Sequence, residues 1–134
     1  MVNTSGVLNG ALLAEKTICE IVSVTGYPTA DVAKGTKITL TVKVQNNRNI
    51  PFMGLVNVED VVGETKTKVA SRRAIVGGML GLIAQKEVEG DIEVDTADME
   101  AGTHSLNVVL NASIIGIRGI QQDVYEGAEF SITA

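Results

Sequence analysis

Residues 36–47 read TKITLTVKVQNN, with Ile38, Leu40, Val42 and Val44 on every second position. Thr39, Thr41, Lys43 and Gln45 fill the gaps. Successive side chains of a strand point to opposite faces, so this stretch predicts a strand with one apolar and one polar side. Antiparallel sheets with one solvated face require that alternation.

The pattern recurs on both sides. EKTICEIVSVTGYP (15–28) reads as an earlier strand closed by Gly26 and Pro28. GLVNVEDVV (54–62) puts Val56 and Val58 on one face, and Gly63 with Glu64 makes a turn. TKTKVASRRAIV (65–76) is mostly polar and suits an edge, where lysines discourage unwanted pairing. QKEVEGDIEVDT (85–96) alternates through Val88, Ile92 and Val94, with Gly90 as a candidate bulge. EAGTHSLNVVLNASI (100–114) aligns His104, Leu106, Val108, Leu110 and Ala112 on one side, and EGAEFSITA (126–134) aligns Phe130 with Ile132. About seven short strands with turn signals between them, and no amphipathic helix, predict an all-β sandwich or barrel. With Trp absent and aromatics scarce, its core is aliphatic.

The chain has 134 residues, enough for one domain with a real core. Its net charge of −5 argues against nucleic acid, whose phosphates need clustered Lys and Arg. The one basic patch, Lys66, Lys68, Arg72 and Arg73, reads as a solvated strand face. No stretch approaches the roughly 20 apolar residues of a membrane-spanning helix. The N-terminus has no positively charged region followed by a long apolar run, so it does not read as a signal peptide.

Catalytic hardware is scarce. Cys19, the one cysteine, sits among Ile18, Ile21, Val22 and Val24, beside Glu20 rather than a base, and reads as a buried hydrophobe. His104, the one histidine, falls on the inward register and reads as a core or corner residue hydrogen-bonded to nearby backbone. Asp91, Glu93 and Asp95 share a face, and Asp98 and Glu100 follow in a turn; the group lacks the spacing of a calcium loop and reads as a solvated acidic face. VGGMLG lacks the Lys and Ser or Thr of a phosphate loop. No catalytic residue, metal site or cofactor is expected, and the chain is read as not an enzyme.

Two stretches break the alternation: IVGGMLGLIA (75–84) and SIIGIRGIQQ (113–122). Both read as apolar loops punctuated by glycine, although loops are ordinarily polar. GVLNGALLA (6–14) has the same character. The candidate interface residues are therefore Val7, Leu8, Leu12, Leu13, Met79, Leu80, Leu82, Ile83, Ile115, Ile117 and Ile120, because exposed apolar patches mark contact sites. Folding back to plug the open ends of the sandwich, or lining a small apolar pocket, are the other uses of such segments. The expected organisation is an ordered arm, residues 1–14, before a domain spanning 15–134, and the hypothesis for the arm is that it adds to a neighbour's sheet edge.

KGTKITLTVKVQNNRNIPFMGLVNVED, with DTADMEAGTHSLNVVLN and the closing GAEFSITA, resembles the immunoglobulin-like modules of bacterial and archaeal surface proteins, notably the cell-adhesion-related bacterial domain, CARDB. The matching pieces are Ile38 to Asn46, Gly54 to Val58 and Gly102 to Leu110; insertions at 64–87 and 113–123 depart from that layout. Similar sandwiches occur in virus particles. The resemblance implies an immunoglobulin-like antiparallel sandwich and carries no catalytic site with it. The expectation is a structural subunit, a homo-oligomer or one docking on other structural proteins, that decorates or stabilises a particle such as a virus capsid. The alternative is an adhesion or ligand-binding module of a cell-surface protein, gripping a glycan, peptide or Ca²⁺. Either way the expected location is a virion or an extracellular surface.

Overall fold

A computed structural model describes residues 18–48, 52–76, 87–114 and 117–134. Among these, nine strands form: β1 (Cys19–Thr25), β2 (Val32–Ala33), β3 (Lys37–Asn46), β4 (Phe52–Val62), β5 (Thr65–Val76), β6 (Glu87–Asp95), β7 (Gly102–Ile114), β8 (Ile117–Glu126) and β9 (Phe130–Thr133). A 3-10 turn, Thr96–Asp98, follows β6. The chain is an all-β sandwich of two sheets. One runs β1-β3-β6; the other runs β2-β9-β7-β4-β5, with β8 also on β7. Every pairing is antiparallel except the two-residue β2 on β9.

The opening stretch behaves as its alternation requires. Ile38, Leu40, Val42 and Val44 of β3 are buried. They meet Val56 and Val58 of β4, Ile92 and Val94 of β6, and Leu106, Val108 and Leu110 of β7 in one aliphatic core. Burying each such side chain contributes about 1.5–3 kcal/mol, and the summed burial opposes the entropy of ordering the chain. Gly26 ends β1 at φ 83°, and a Cβ there lands 2.2 Å from the Thr39 carbonyl oxygen, so only glycine fits this turn.

Two expectations need correcting. Of the stretch read as an apolar loop at 113–122, residues 113–114 complete β7 and 117–122 begin β8. The alternation fails there because the β7–β8 register shifts between Leu110 and Asn111 and again between Ala112 and Ile114. A bulge adds one residue and reverses the inside–outside phase, which disguises a strand as an irregular segment. Residues 65–76 form β5, the edge strand that their lysines suggested, and it takes in Ile75 and Val76 of the stretch read as a loop. Gly90 is no bulge, because the β3–β6 ladder runs through Val42↔Gly90 unbroken. Its missing side chain instead makes room for Arg72, whose Cζ lies 3.3 Å from where a Cβ would be, and whose Nη1 donates to the Asp91 carbonyl.

That contact ties the β5 edge of one sheet to the β6 edge of the other. The opposite edges are tied as well. The Gln122 Oε1 of β8 accepts the Ile18 N–H at 2.8 Å, and the Asp123 Oδ2 accepts the Ile21 N–H at 2.9 Å. Gln122 is fully buried for this reason: its amide satisfies backbone at the edge of β1.

Candidate functional surfaces

The ladders divide the sandwich into two poles. At one, Cys19 pairs with Asn46, Gln45 with Glu87, Met53 with both Ile75 and Ser113, and Ile114 with Ile117. At the other lie the turn after β1, the β4–β5 turn at Gly63 and Glu64, the 3-10 turn, and residues 127–129 before β9.

Of the sequence-predicted interface residues, Val7, Leu8, Leu12, Leu13, Met79, Leu80, Leu82, Ile83 and Ile115 lie outside the described residues, as does the whole arm at 1–14. Ile117 opens β8, and Ile120, partly buried, stands opposite Ala112. Met53, at the same pole, is 36 % exposed.

The second pole carries two clefts that share Thr103. The first, of about 700 Å³, lies between β4, β5 and the 3-10 turn. His104 forms part of its wall, with the acidic side chains of Asp60, Asp95, Asp98 and Glu100 and the ammonium of Lys68 around it. His104 is 4 % exposed. Its Nδ1 lies 2.8 Å from Asp60 Oδ1, and its Nε2 lies 2.6 Å from the Glu100 carbonyl oxygen. Burial alone pushes its pKa down; the Asp60 carboxylate and the Glu100 carbonyl together outweigh burial and hold it above the ordinary histidine value. The backbone partner is of the kind the inward register suggested. Asp60 was missed as a partner, though its place on the Val56–Val58 face was a usable signal.

The acidic strand faces solvent as expected: Asp91, Glu93 and Asp95 are exposed, and Thr41 Oγ1 donates to Asp91 Oδ1 at 2.8 Å. Asp95 caps the 3-10 turn by accepting the Ala97 N–H at 2.9 Å. Among the described residues, no group of three or more His, Cys, Asp or Glu side chains is placed to hold a metal ion. No helix among them is long and apolar enough to cross a membrane. Cys19 is buried, and that burial, with Asp123 and Glu20 nearby, pushes its thiol up to about 12. A thiol so held is not a nucleophile near neutral pH.

The second cleft, of about 580 Å³, gathers three of the chain's four aromatic side chains: Tyr27, Tyr125 and Phe130. Tyr27 packs edge-on against Tyr125 and against Phe130, each with ring centroids 5.9 Å apart. Phe130 in turn stacks on His104 at 6.4 Å. The Tyr27 hydroxyl accepts the Leu106 N–H at 2.9 Å and donates to the Ala128 carbonyl at 2.5 Å. Burial raises its pKa, an effect opposed by the Leu106 N–H and reinforced by Tyr125 and Asp60. The scarcity of aromatics in the sequence hid this cluster, because the residues lie about 100 positions apart.

No family model matches the chain, and no curated protein matches it. Solved structures share its fold. The C-terminal domain of wzt superposes with a TM-score of 0.63, over 90 % of this chain and 76 % of that domain, at 9 % identity. A beta-glucosidase from Listeria innocua, in complex with glucose, matches with a TM-score of 0.59 at 14 % identity; the match covers 87 % of this chain but 16 % of the enzyme. AvmM, which catalyzes macrocyclization in alchivemycin A biosynthesis, gives 0.52 over 85 % of this chain and 89 % of that one, at 12 % identity. At such identities the likeness speaks to the sandwich and not to an activity.

Proposed function

We propose that the chain is a structural module that packs on copies of itself or on other structural proteins through one pole of its sandwich. It acts in a multi-subunit particle such as a virus capsid, or in an extracellular surface layer, without catalysis or a cofactor. The register of the ladders carries this reading. The start of β1, the end of β5, the start of β6, the end of β7 and the start of β8 all stand at one pole. In the sequence, the apolar stretches 6–14 and 75–84, rich in Val, Leu, Ile and Met, lie next to the start of β1 and between β5 and β6. A sandwich whose core is already filled from its strand faces has no need of further apolar segments, and apolar segments left over favour contact with another protein. The resemblance to CARDB-type modules and to immunoglobulin-like virion proteins supports the same setting.

The test is Met79→Asp and Leu80→Asp in the full chain, followed by sedimentation velocity and thermal melting. Lower mass with an unchanged melt supports the reading. Loss of the fold assigns the segment to the core instead.

A second reading, a module that grips a ligand at a cell surface, draws on the paired clefts at the opposite pole. It expects a monomer whose ligand perturbs Thr103 and its neighbours.

A further inference from the structure

We infer that the aromatic cleft between the turn after β1 and the start of β9 binds an ammonium-bearing ligand. This deepens the second reading and is independent of assembly at the other pole.

The cleft, at about 580 Å³, is within the size range of small-molecule sites. Its lining combines Tyr27, Tyr125 and Phe130 with the carboxylates of Asp31 and Glu129, and it includes no Lys or Arg. Aromatic faces are the negative side of the ring quadrupole and attract cations. Tyr27 lies at 87° to Phe130 and 65° to Tyr125, so the rings face different directions rather than stacking into one flat wall. Asp31 and Glu129 are exposed, one just before β2 and one just before β9. With both carboxylates unbalanced by a basic residue in the lining, a cation gains from rings and rim together. The chain's net charge of −5 draws cations toward it as well.

The floor of the cleft is fixed before any ligand arrives. The Tyr27 hydroxyl is held by Leu106 and Ala128, and Gly127 lies so close that a Cβ there would be 2.1 Å from the ring. A platform held this way loses little freedom on binding. The hydroxyls of Thr29, Thr103 and Ser131 also line the cleft and suit a sugar, but neutral hydroxyls give no reason for two unpaired carboxylates.

The experiment is an amide nuclear magnetic resonance titration of the full chain. One arm uses tetramethylammonium chloride, one uses acetyl-trilysine amide, one uses glucose, and sodium chloride at equal ionic strength is the reference. Tetramethylammonium is expected to shift residues 27–31, 103 and 125–131 saturably, in the millimolar range typical of a single cation–aromatic site. Tighter binding of the peptide would identify a protein side chain, rather than a free amine, as the source of the ammonium. Asp31→Asn with Glu129→Gln, both exposed positions, should melt as the parent does and weaken tetramethylammonium by about tenfold; Tyr125→Leu should weaken it too. Shifts no larger than those of sodium chloride overturn the inference. So does unchanged affinity in the double variant, and so does saturation by glucose alone.

Discussion

Asp60 holds His104 from β4 across to β7, carboxylate to imidazole, at 2.8 Å. The other ring nitrogen faces the Glu100 carbonyl at 2.6 Å. Two acceptors around one ring favour its protonated form, in line with a pKa raised above the ordinary histidine value. The pair closes the polar pole, where Phe130 of β9 stacks on the same imidazole.

A histidine whose pKa is raised by folding stabilises the fold below its unfolded value of about 6.5, and that contribution is lost as pH rises through the higher folded value. Melting temperature should therefore fall as pH is raised from 6 through the alkaline side of neutrality. His104→Gln should flatten that dependence. Asp60→Asn should cost about 3 kcal/mol, the usual penalty for removing one partner of a buried pair. A melting curve that does not move with pH, in the parent chain, would contradict the raised pKa of His104.

Tyr27 and Gly127 form a second closure, where β7 exchanges β8 for β9 as its neighbour. Leu106 is fully buried, and its N–H has the Tyr27 hydroxyl as partner. Tyr27→Phe should cost about 1–3 kcal/mol by stranding that donor. Gly127→Ala should cost at least as much by displacing the ring, and urea unfolding checks both. If Tyr27→Phe is neutral, the hydroxyl contributes nothing to the junction.

The strand faces make a plainer prediction. Val42→Ala and Val108→Ala should each destabilise by about 1–3 kcal/mol, because both side chains are buried in the shared core. Thr39→Ala, on the exposed face of the same strand as Val42, should change stability by less than about 0.5 kcal/mol. Equal losses at Thr39 and Val42 would mean that the β3 face assignment is reversed.

Cys19 is a probe of global opening. Buried, and with a thiol held up to about 12, it should resist iodoacetamide at pH 8 in native buffer and react fully in denaturant. Rapid native alkylation would show that β1 opens locally, without the rest of the fold.

The legible parts of the fold were those where one residue added to a strand moves the chain by one face. Ile38 to Val44 fit that rule, and the His104–Ala112 face of β7 names the rest of the core, although Asn107 and Val109 on its other face are buried as well. β8 escaped because the register slips twice opposite β7, and because Gln122 occupies a buried position for the sake of a distant backbone N–H. β2, two residues long, leaves no periodic trace. Of the polar pole, the inward placement of His104 was readable, since it depends on position within one strand. Its pairing with Asp60 and the convergence of Tyr27, Tyr125 and Phe130 depend on which strands become neighbours, and local alternation does not encode that.

The central claim is that the pole into which the apolar segments lead is a contact surface between proteins. The most direct measurement is the native mass of the untagged chain by sedimentation equilibrium, over a wide concentration range, with and without EDTA. A discrete oligomer, indifferent to EDTA, is the predicted result. A monomer at every concentration would contradict self-assembly and leave that pole without a partner among copies of this chain.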